Sequence, residues 1–390
     1  MRRKQCKSLR IFTFILIILC ISCGSQGVSE IVYGEENDTA DILQEELIGE
    51  MEFDEIQKMM DEMLGNKSFS FSQALRKIMN GDQVLSKETV QELLRSLFFS
   101  GIEREKSLFF KLLLLILLAA VFSNFVDVFE NGQIGSVSFY VVYLVLFMML
   151  MEAFSELSTS LSGTLSWLSD FIKILAPSYF VAVTASVGAS TATVFYEGVL
   201  LIVWAIQWIL VNFLLPGVNL CVLLKLVNHL SKEEMLSKMA DLMEVGINWT
   251  IKTLVAAAAG MEVVKNLVAP VMDSLKRSAI GKTAGAIPGI GNAVNSVTEI
   301  ILTSAVLVRN SLGVVILIIL ILAGIGPIIH YGCLSLSYRF LSALSQPVSD
   351  KRIVGALSTM GEGCALLLKI LMTGEMLCML TFLILMAGTG

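Results

Sequence analysis

An uncharged apolar run, Leu312–Ile329, is the feature that most constrains what this chain can fold into. As a helix, a run of that length rises about 27 Å, close to the thickness of the hydrocarbon core of a bilayer. Upstream of this run, segment 281–291 is also apolar but is too rich in glycine and proline for a regular helix. Lipid cannot satisfy the backbone of such a segment, so protein must shield it or water must reach it. We therefore predict a polytopic membrane protein rather than a soluble protein with one buried helix.

Composition supports an all-α fold of the polytopic α-helical membrane class. Hydrophobic residues form 55% of the 390 residues and charged residues 16%, with a mean hydropathy of +0.76. A soluble domain typically carries about 25% charged residues. We predict a multi-span membrane domain over residues 107–390, with about 6–8 spans and a broken segment near 281–291.

The N-terminal residues 1–25 are typical of a signal sequence, in which a basic head precedes an apolar core at Ile11–Ile21 and small residues follow. Cys23 leaves a second interpretation open, in which the leader carries a lipid-modified cysteine. Both interpretations export residues 26–106. Because residues 30–106 hold 18 acidic and 8 basic side chains, this exported segment is poorly suited to bind nucleic acid.

Apolar residues recur at helical spacing in the exported segment, which we predict to form a small helical domain. One helix covers Phe53 to Leu64, a second covers Ser72–Met79, and a third begins near Ser86, which can cap it. Three short helices bury little core by themselves. Their apolar stripes are expected to pack on the membrane domain, the bilayer or a partner, or else on one another as a self-contained bundle.

Further apolar runs divide the membrane domain into predicted spans. Pro216-Gly217 is predicted to end one span. Arg309-Asn310 is predicted to form the turn of a hairpin, from which the long Arg309 side chain reaches the interface. The predicted spans are Leu108–Val126, Val137–Phe154, Phe171–Ser186 with a kink at Pro177, Val199–Leu215, Asn292–Val308, Leu312–Ile329 and Gly363–Ala387.

Two other segments, Met235–Asn248 and Cys333–Leu344, are predicted to lie in the membrane interface. Basic pairs in short predicted loops indicate the cytoplasmic side of the membrane, and they occur at Lys276-Arg277 and Lys351-Arg352. The basic leader is expected on the same side, so the acidic N-terminal domain lies on the opposite face.

A stripe of hydroxyls is the first candidate site. Ser158, Ser162 and Ser166 repeat every four residues and are continued by Asp170 and Lys173. This spacing of small residues lets helix backbones approach closely in lipid. Two interpretations remain open: the stripe lines a pore, or it marks ordinary tight helix packing.

Charged residues within predicted spans are the second candidate. Each costs about 2.5–3.5 kcal/mol at the centre of a lipid-facing helix, so they should pair or point inward. Asp170 and Lys173 can neutralise each other, whereas Lys369 and Glu375 should point to different faces of one helix. As a group they are either relays of an ion-coupled transporter or interhelical pairs. The group comprises Asp170, Lys173, Glu197, Lys225, Arg309, Lys369 and Glu375.

The sequence offers no pattern of catalytic, metal-binding or cofactor-binding residues. Its only histidines, His229 and His330, lie far apart. Gly281-Lys282-Thr283 resembles the end of a phosphate-binding loop, but Lys276 stands where that loop needs a glycine. We therefore expect no enzymatic activity and no cofactor.

Short motifs run through the second half of the chain, and their order and spacing are distinctive. They include Val271–Ser278 with Lys276 and Arg277, then Gly281 and Lys282, then Ile287–Gly291 with Pro288, Gly289 and Gly291, then Leu307–Gly313, and finally Ser345 with Gln346 and Pro347. Together with the leader, the acidic segment and the hydroxyl-rich middle, they cover essentially the whole chain. The arrangement resembles the stage III sporulation protein AE family, multi-pass membrane proteins of endospore-forming bacteria.

This resemblance implies a subunit of the transenvelope complex that joins the mother cell to the engulfed forespore. Such a protein lies in the mother-cell membrane around the forespore and is needed for late forespore gene expression. The implied partners are membrane lipid, further copies of the chain, stage II sporulation protein Q, and the other stage III sporulation A proteins: the ATPase, AB, AC, AD, AF and the ring-forming AG and AH. The residues alone leave two alternatives, a stand-alone ion-coupled secondary transporter and a non-conducting membrane scaffold.

Overall fold

The fold is known from a computed structural model, which describes residues 48, 53–64, 70–80, 106, 109–114, 117, 121, 132–187, 189–230, 236–284, 291–347 and 349–388. These residues belong to one unit of the chain, Leu43–Gly390. Within these ranges the chain is helical apart from turns and contains no strand. The all-α prediction is therefore confirmed. The predicted signal sequence, the helix predicted to begin near Ser86 and residues 285–290 of the glycine- and proline-rich segment lie outside the described residues.

Eight α-helices and one π-helical turn follow one another along the described chain. They are α1 (Asp54–Leu64), α2 (Phe71–Met79), α3 (Gly132–Val187), α4 (Ala189–Ile209), the π-turn (Leu210–Leu214), α5 (Leu215–Leu230), α6 (Ser237–Ala284), α7 (Gly291–Ser345) and α8 (Lys351–Gly388).

Four stretches of the described helices are long and apolar enough to cross a membrane. They are Tyr140–Ala185 in α3, Leu200–Leu230 across α4 and α5, Thr303–Ser345 in α7 and Lys351–Phe382 in α8. The chain is thus a multi-pass membrane protein, as predicted. The predicted span Leu108–Val126 lies largely outside the described residues, which are helical at 109–114.

Two prolines lie inside helices that the sequence predicts to bend or stop. Pro177 lies within the 56 residues of α3, which joins two predicted spans into one helix. Pro216 does not end its span, because the π-turn Leu210–Leu214 precedes it and α5 continues to Leu230. Proline removes a helical N–H and crowds the carbonyl four residues earlier, here that of Asn212 inside the π-turn. A wider π-helical turn accommodates that crowding without breaking the helix.

The predicted hairpin at Arg309-Asn310 is wrong. Both residues lie inside the 55-residue helix α7, and Arg309 is 2% exposed instead of reaching the interface. The Arg309 Nε and Nη2 atoms donate to Asn310 Oδ1 at 3.3 and 3.1 Å. Because its guanidinium is hydrogen-bonded inside the bundle, Arg309 does not have to reach water, and the helix continues past it.

The two predicted interfacial segments are parts of longer helices. Cys333–Leu344 belongs to α7, and residues 237–248 begin the 48-residue helix α6. Within them, Ile247 and Tyr338 are buried with the rest of the core. Packing against neighbouring helices buries one side of each segment, while Leu242 and Leu336 on another side are exposed.

The span-forming stretches in α3 and α8 run in one direction, and the other two run in the opposite direction. The stretch in α8 is the most buried of the four. Ser335 Oγ of α7 donates to the Gly361 carbonyl of α8 at 2.8 Å, and Ser342 Oγ donates to the Val354 carbonyl at 2.9 Å. As residue numbers rise in α7 they fall in α8, so these two helices are antiparallel. The ring of Tyr179 in α3 packs edge-on against a ring near the end of α8. The parallel α3 and α8 thus lie beside the antiparallel α5 and α7.

Glycines of α8 let its neighbours approach closely. A Cβ on Gly363 would lie 2.7 Å from both Phe154 Cε2 in α3 and Val222 Cγ2 in α5. A Cβ on Gly374 would lie 2.8 Å from Leu165 Cδ2. Small residues at helix contacts increase the van der Waals packing that holds helices together in lipid. These positions therefore determine how tightly the bundle closes around α8.

The short helices α1 and α2 pack on the long helices rather than standing alone. The observed α1 and α2 confirm the first two helices predicted for the exported segment, and Ser70 caps α2 by accepting from the Gln73 backbone N–H at 3.4 Å. Ile56, Phe71 and Leu75 are buried in the same apolar cluster as the span-forming helices. Of the arrangements that the sequence allows, packing on the membrane domain is the one observed.

We expect Gly363→Val to lower the free energy of unfolding by about 1–3 kcal/mol, because the new side chain would overlap Phe154 and Val222. The matched control is Gly163→Val, since a Cβ on Gly163 meets nothing within 4 Å. That substitution should change stability by no more than about 0.5 kcal/mol. Thermal unfolding of the full chain in detergent measures both, and equal effects would contradict the packing role of Gly363.

The turn between α7 and α8 is closed by Asp350. Asp350 Oδ1 accepts from the Arg352 backbone N–H at 2.8 Å and from Arg352 Nε at 3.3 Å, which caps the start of α8. Partial burial by itself raises the pKa of the Asp350 carboxyl, but the hydrogen bonds and charge of Arg352 outweigh it and hold that pKa below its usual value. The ionised carboxyl therefore stabilises the folded chain.

Asp350→Ala should lower stability by about 1 kcal/mol at neutral pH, because the cap is lost. Asp350→Asn keeps a capping oxygen and should retain part of that stability. Since the folded pKa is depressed, the charge contributes fully above about pH 4 and is lost as pH falls through the folded pKa. Unfolding midpoints of wild type and Asp350→Asn should therefore converge in acid. A constant difference between them would contradict this role of the charge.

Candidate functional site

A polar seam lies where α5, α6 and α8 meet, and it consists of Lys225, Glu244, Asn248, Glu362 and Lys369. Lys225 Nζ lies 2.7 Å from Glu244 Oε2 and 2.9 Å from Glu362 Oε2. Lys369 Nζ donates a hydrogen bond to Asn248 Oδ1. One cation thus joins carboxylates from two helices, and a second link continues the seam along α6 and α8.

The polar seam is open on one side. The side chain of Lys225 is 17% exposed, that of Glu244 27%, and that of Glu362 49%. Glu362 nevertheless lies within the candidate span Lys351–Phe382. Charges in spans face the bundle interior or a water-filled cavity, because lipid cannot solvate them. The open side of the seam therefore requires water or protein next to it.

Helix α6 has a buried face, an exposed apolar face and a polar edge between them, and this arrangement positions the seam. Ile247 is buried against the bundle, while Val245 and Trp249 are exposed on the far side. Glu244 and Asn248 lie at the edge between these faces, and both reach partners on α5 or α8. The exposed apolar face of α6 is thus suited to contact with lipid, whereas the polar edge beside it is not.

Hydroxyl groups satisfy backbone carbonyls deeper in the bundle. Tyr143 of α3 donates to the Leu226 carbonyl of α5 at 2.6 Å, and Tyr331 of α7 donates to the Leu157 carbonyl of α3 at 2.8 Å. Close to the seam, His229 Nε2 lies 3.1 Å from Thr359 Oγ1. These hydroxyls therefore link helices of the interior by neutral hydrogen bonds.

The predicted hydroxyl stripe lies on α3. Ser158 is buried, and Ser162 and Ser166 are half-buried. Ser166 Oγ accepts a hydrogen bond from Gln207 Nε2 of α4 at 3.5 Å. The contact that the structure gives to this stripe is therefore a helix-helix contact, and it does not include the polar seam.

The predicted pairing of Asp170 with Lys173 is confirmed. Lys173 Nζ lies 2.8 Å from Asp170 Oδ1, and both side chains are about half exposed at 49% and 53%. Glu197 of α4 is also exposed. These charges lie on α3 and α4, so the structure does not bring them to the polar seam.

Arg309, Lys369 and Glu375 have three different environments. Arg309 is buried in α7 and donates to Asn310 Oδ1 of the same helix. Lys369 belongs to the polar seam, while Glu375 is buried against Gly324 of α7. The prediction that Lys369 and Glu375 point to different faces is confirmed.

Sequence reasoning missed Glu244, Asn248 and Glu362 as site residues. Asp241, Glu244, Asn248 and Lys252 recur at spacings of three and four, so they mark one edge of a helix. That pattern is also typical of a helix in the membrane interface. Only the packing of α6 against α5 and α8 distinguishes the two arrangements.

The family-motif residues occupy helix ends. Lys276, Arg277, Gly281 and Lys282 lie in the last part of α6, and Gly291 is the first residue of α7. Gln346 and Pro347 follow the last residue of α7 and are exposed. Pro288 and Gly289 lie outside the described residues.

Comparison with known proteins identifies the family. The family model for stage III sporulation protein AE matches residues 69–389. The chain belongs to this family. Stage III sporulation protein AE of Bacillus subtilis (strain 168) is 22% identical over 364 residues, which cover 90% of each chain. No solved structure matches the chain.

Membership in the stage III sporulation protein AE family gives the chain a role in sporulation. The polar seam is therefore a feature of a membrane protein that acts in sporulation. Lys225 of the seam is paired with Glu244 and Glu362, and Lys369 is hydrogen-bonded to Asn248. Within the described residues, no group of three or more His, Cys, Asp or Glu side chains could hold a metal ion.

In this family member, Lys225→Met should lower the free energy of unfolding by about 1–3 kcal/mol, because Glu244 and Glu362 would lose their shared cation. The matched control is Lys173→Met, which breaks an exposed pair within one helix and should cost no more than about 0.5 kcal/mol. The charge exchange Lys225→Glu with Glu244→Lys should recover part of the loss. Denaturant unfolding of the full chain in detergent measures all three. No recovery in the exchanged pair would argue against the ion pair as the cause.

Proposed function

We propose that this chain is a membrane subunit of a transenvelope channel complex that links the mother cell to the forespore and is required for late forespore development. The observation that carries the proposal is the polar seam, in which Lys225 and Glu362 pair although both belong to candidate membrane spans, and in which Glu362 is half exposed. A subunit that lines a hydrated path, or binds polar groups of another membrane protein, needs such a surface. Family membership provides the sporulation context.

The proposed location is the mother-cell membrane around the forespore, with the acidic N-terminal segment in the space between the two cells. The proposed partners are the other stage III sporulation A proteins, including the ATPase, AB, AC, AD, AF and the ring-forming AG and AH, together with stage II sporulation protein Q. Further copies of the chain and membrane lipid complete the assembly. We propose no enzymatic activity, no cofactor and no nucleic-acid partner, because Glu244 and Glu362 of the seam are paired with Lys225.

Two alternatives remain distinct from a channel subunit. A stand-alone secondary transporter would use buried charges as coupling groups, and Glu375 is the buried carboxyl that favours it. A non-conducting scaffold would need the tight packing around α8 but no open polar surface. Experiments on the polar seam separate these functions, because only a channel subunit needs both the seam and partner proteins.

The test uses the sporulating organism that carries this chain. Deletion of the gene should abolish late forespore gene expression and leave early forespore expression intact. A tagged wild-type chain should co-purify with the ring-forming proteins. Glu362→Leu combined with Lys369→Leu should still insert and co-purify, but late expression should fall at least tenfold because the open side of the seam has become apolar. The control Leu336→Ala, at an exposed apolar position, should behave as wild type.

Each other outcome points elsewhere. Normal late expression after deletion would overturn the role in forespore development. A block without any co-purifying partner would favour the stand-alone transporter. Full late expression from the doubly substituted seam, with partners still bound, would favour the scaffold.

A further inference from the structure

Glu375 is a buried carboxyl that the polar seam does not use. It lies in α8 with 4% of its surface exposed. Its Oε2 atom has no hydrogen-bond partner among the described residues. Buried polar groups in proteins are nearly always hydrogen-bonded, so an unpaired carboxyl oxygen in a membrane helix requires an explanation.

The carboxyl of Glu375 lies directly against the backbone of α7. A Cβ placed on Gly324 would overlap both carboxyl oxygens of Glu375. The carboxyl therefore fills the space that any side chain at position 324 would need. Glycine at this position allows the acid to reach the peptide group that joins Ala323 to Gly324.

Pro327 lies in the same turn of α7 and leaves one backbone acceptor without its donor. In a helix, the carbonyl of Ala323 would accept from the N–H of residue 327, and proline has no N–H. Ala323 itself is 3% exposed, so bulk water does not reach that position. Within a membrane, a carbonyl freed by proline needs a donor from a neighbouring helix, a side chain or an ordered water. The freed acceptor thus lies beside the unpaired acid.

We propose that Glu375 holds a proton at neutral pH and donates it to the Ala323 carbonyl, so that α8 supplies the donor that Pro327 removes from α7. Only the protonated acid can do this, because a carboxylate is an acceptor without a donor. One hydrogen bond then satisfies two groups that would otherwise be buried unpaired. The site binds a proton and joins the two helices at the point where Pro327 removes a backbone hydrogen bond of α7.

The surroundings of Glu375 favour the protonated acid. Along α7 no charged residue occurs between Arg309 and His330. From α3 and the π-turn, Leu165 and Leu210 lie against the neighbouring Gly374. Cys378, about one turn further along α8, is also buried.

The charges of more distant elements already have partners. Asp170 and Lys173 of α3 are exposed and paired with each other. Lys369 of α8 donates to Asn248 of α6. Among the described residues, no cation is therefore arranged to neutralise an ionised Glu375.

A double-mutant cycle tests the hydrogen bond on the full chain in detergent. Glu375→Leu removes the donor but fills the space, and it should lower the unfolding midpoint by about 2 °C or more. Glu375→Gln keeps a neutral donor and should retain most of the wild-type midpoint. In the background of Pro327→Ala, residue 327 has an N–H of its own, so Glu375→Leu should cost much less. Equal costs in both backgrounds, or no cost of Glu375→Leu in the wild type, would overturn the proposal.

Infrared spectroscopy tests the proton directly and does not depend on stability. The purified chain at pH 7 should show the C=O stretch of a protonated carboxyl, and Glu375→Gln should lose this band. Glu362→Gln is the matched control, since Glu362 is a half-exposed carboxylate paired with Lys225, and this variant should keep the band. A band that persists unchanged in Glu375→Gln, or that is absent from the wild type, would show that Glu375 holds no proton.

Discussion

Close approach of helices to α8 is the constraint on which the rest of the structure depends. Lipid chains are as apolar as leucine, so helices associate in a membrane through close packing and hydrogen bonds more than through the hydrophobic effect. Gly363 lets Phe154 and Val222 contact the backbone of α8, and Gly361 presents a carbonyl to the hydroxyl of Ser335. Larger side chains at these positions would separate the helices and break the hydrogen bonds between them.

The position of each polar group follows from this packing. Ion pairs between helices occur at the polar seam, where Glu362 is half exposed and a charge can be hydrated. Deeper in the bundle, neutral hydroxyls such as that of Tyr331 donate to backbone carbonyls. Glu375, the buried carboxyl against Gly324, follows the same rule if it carries a proton. Neutral hydrogen bonds therefore join helices in the interior, where Arg309 is a buried charge that donates to its neighbour Asn310.

Local signals predicted some elements correctly and others wrongly, for a physical reason. Helix α2 begins and ends near the predicted residues because Ser70 and Asn80 cap it. Pro216 and Arg309, in contrast, did not end helices. A proline or a charged residue is expected to end a helix because water can then hydrate the side chain and the unpaired backbone groups. Inside the bundle, the π-turn accommodates Pro216 and the side chain of Asn310 accepts from Arg309, so neither helix has to end.

The sequence by itself determined that the chain is all-α and crosses a membrane. Uncharged runs such as Leu312–Ile329 favour the hydrocarbon core of a bilayer, and a helix pairs all of their backbone groups within the run. It also determined the pairing of Asp170 with Lys173, which needs only the spacing within one helix. Only the tertiary structure decided that Lys225 joins Glu244 to Glu362. Those three residues lie on different helices, and their contact depends on how α5, α6 and α8 pack rather than on any local pattern.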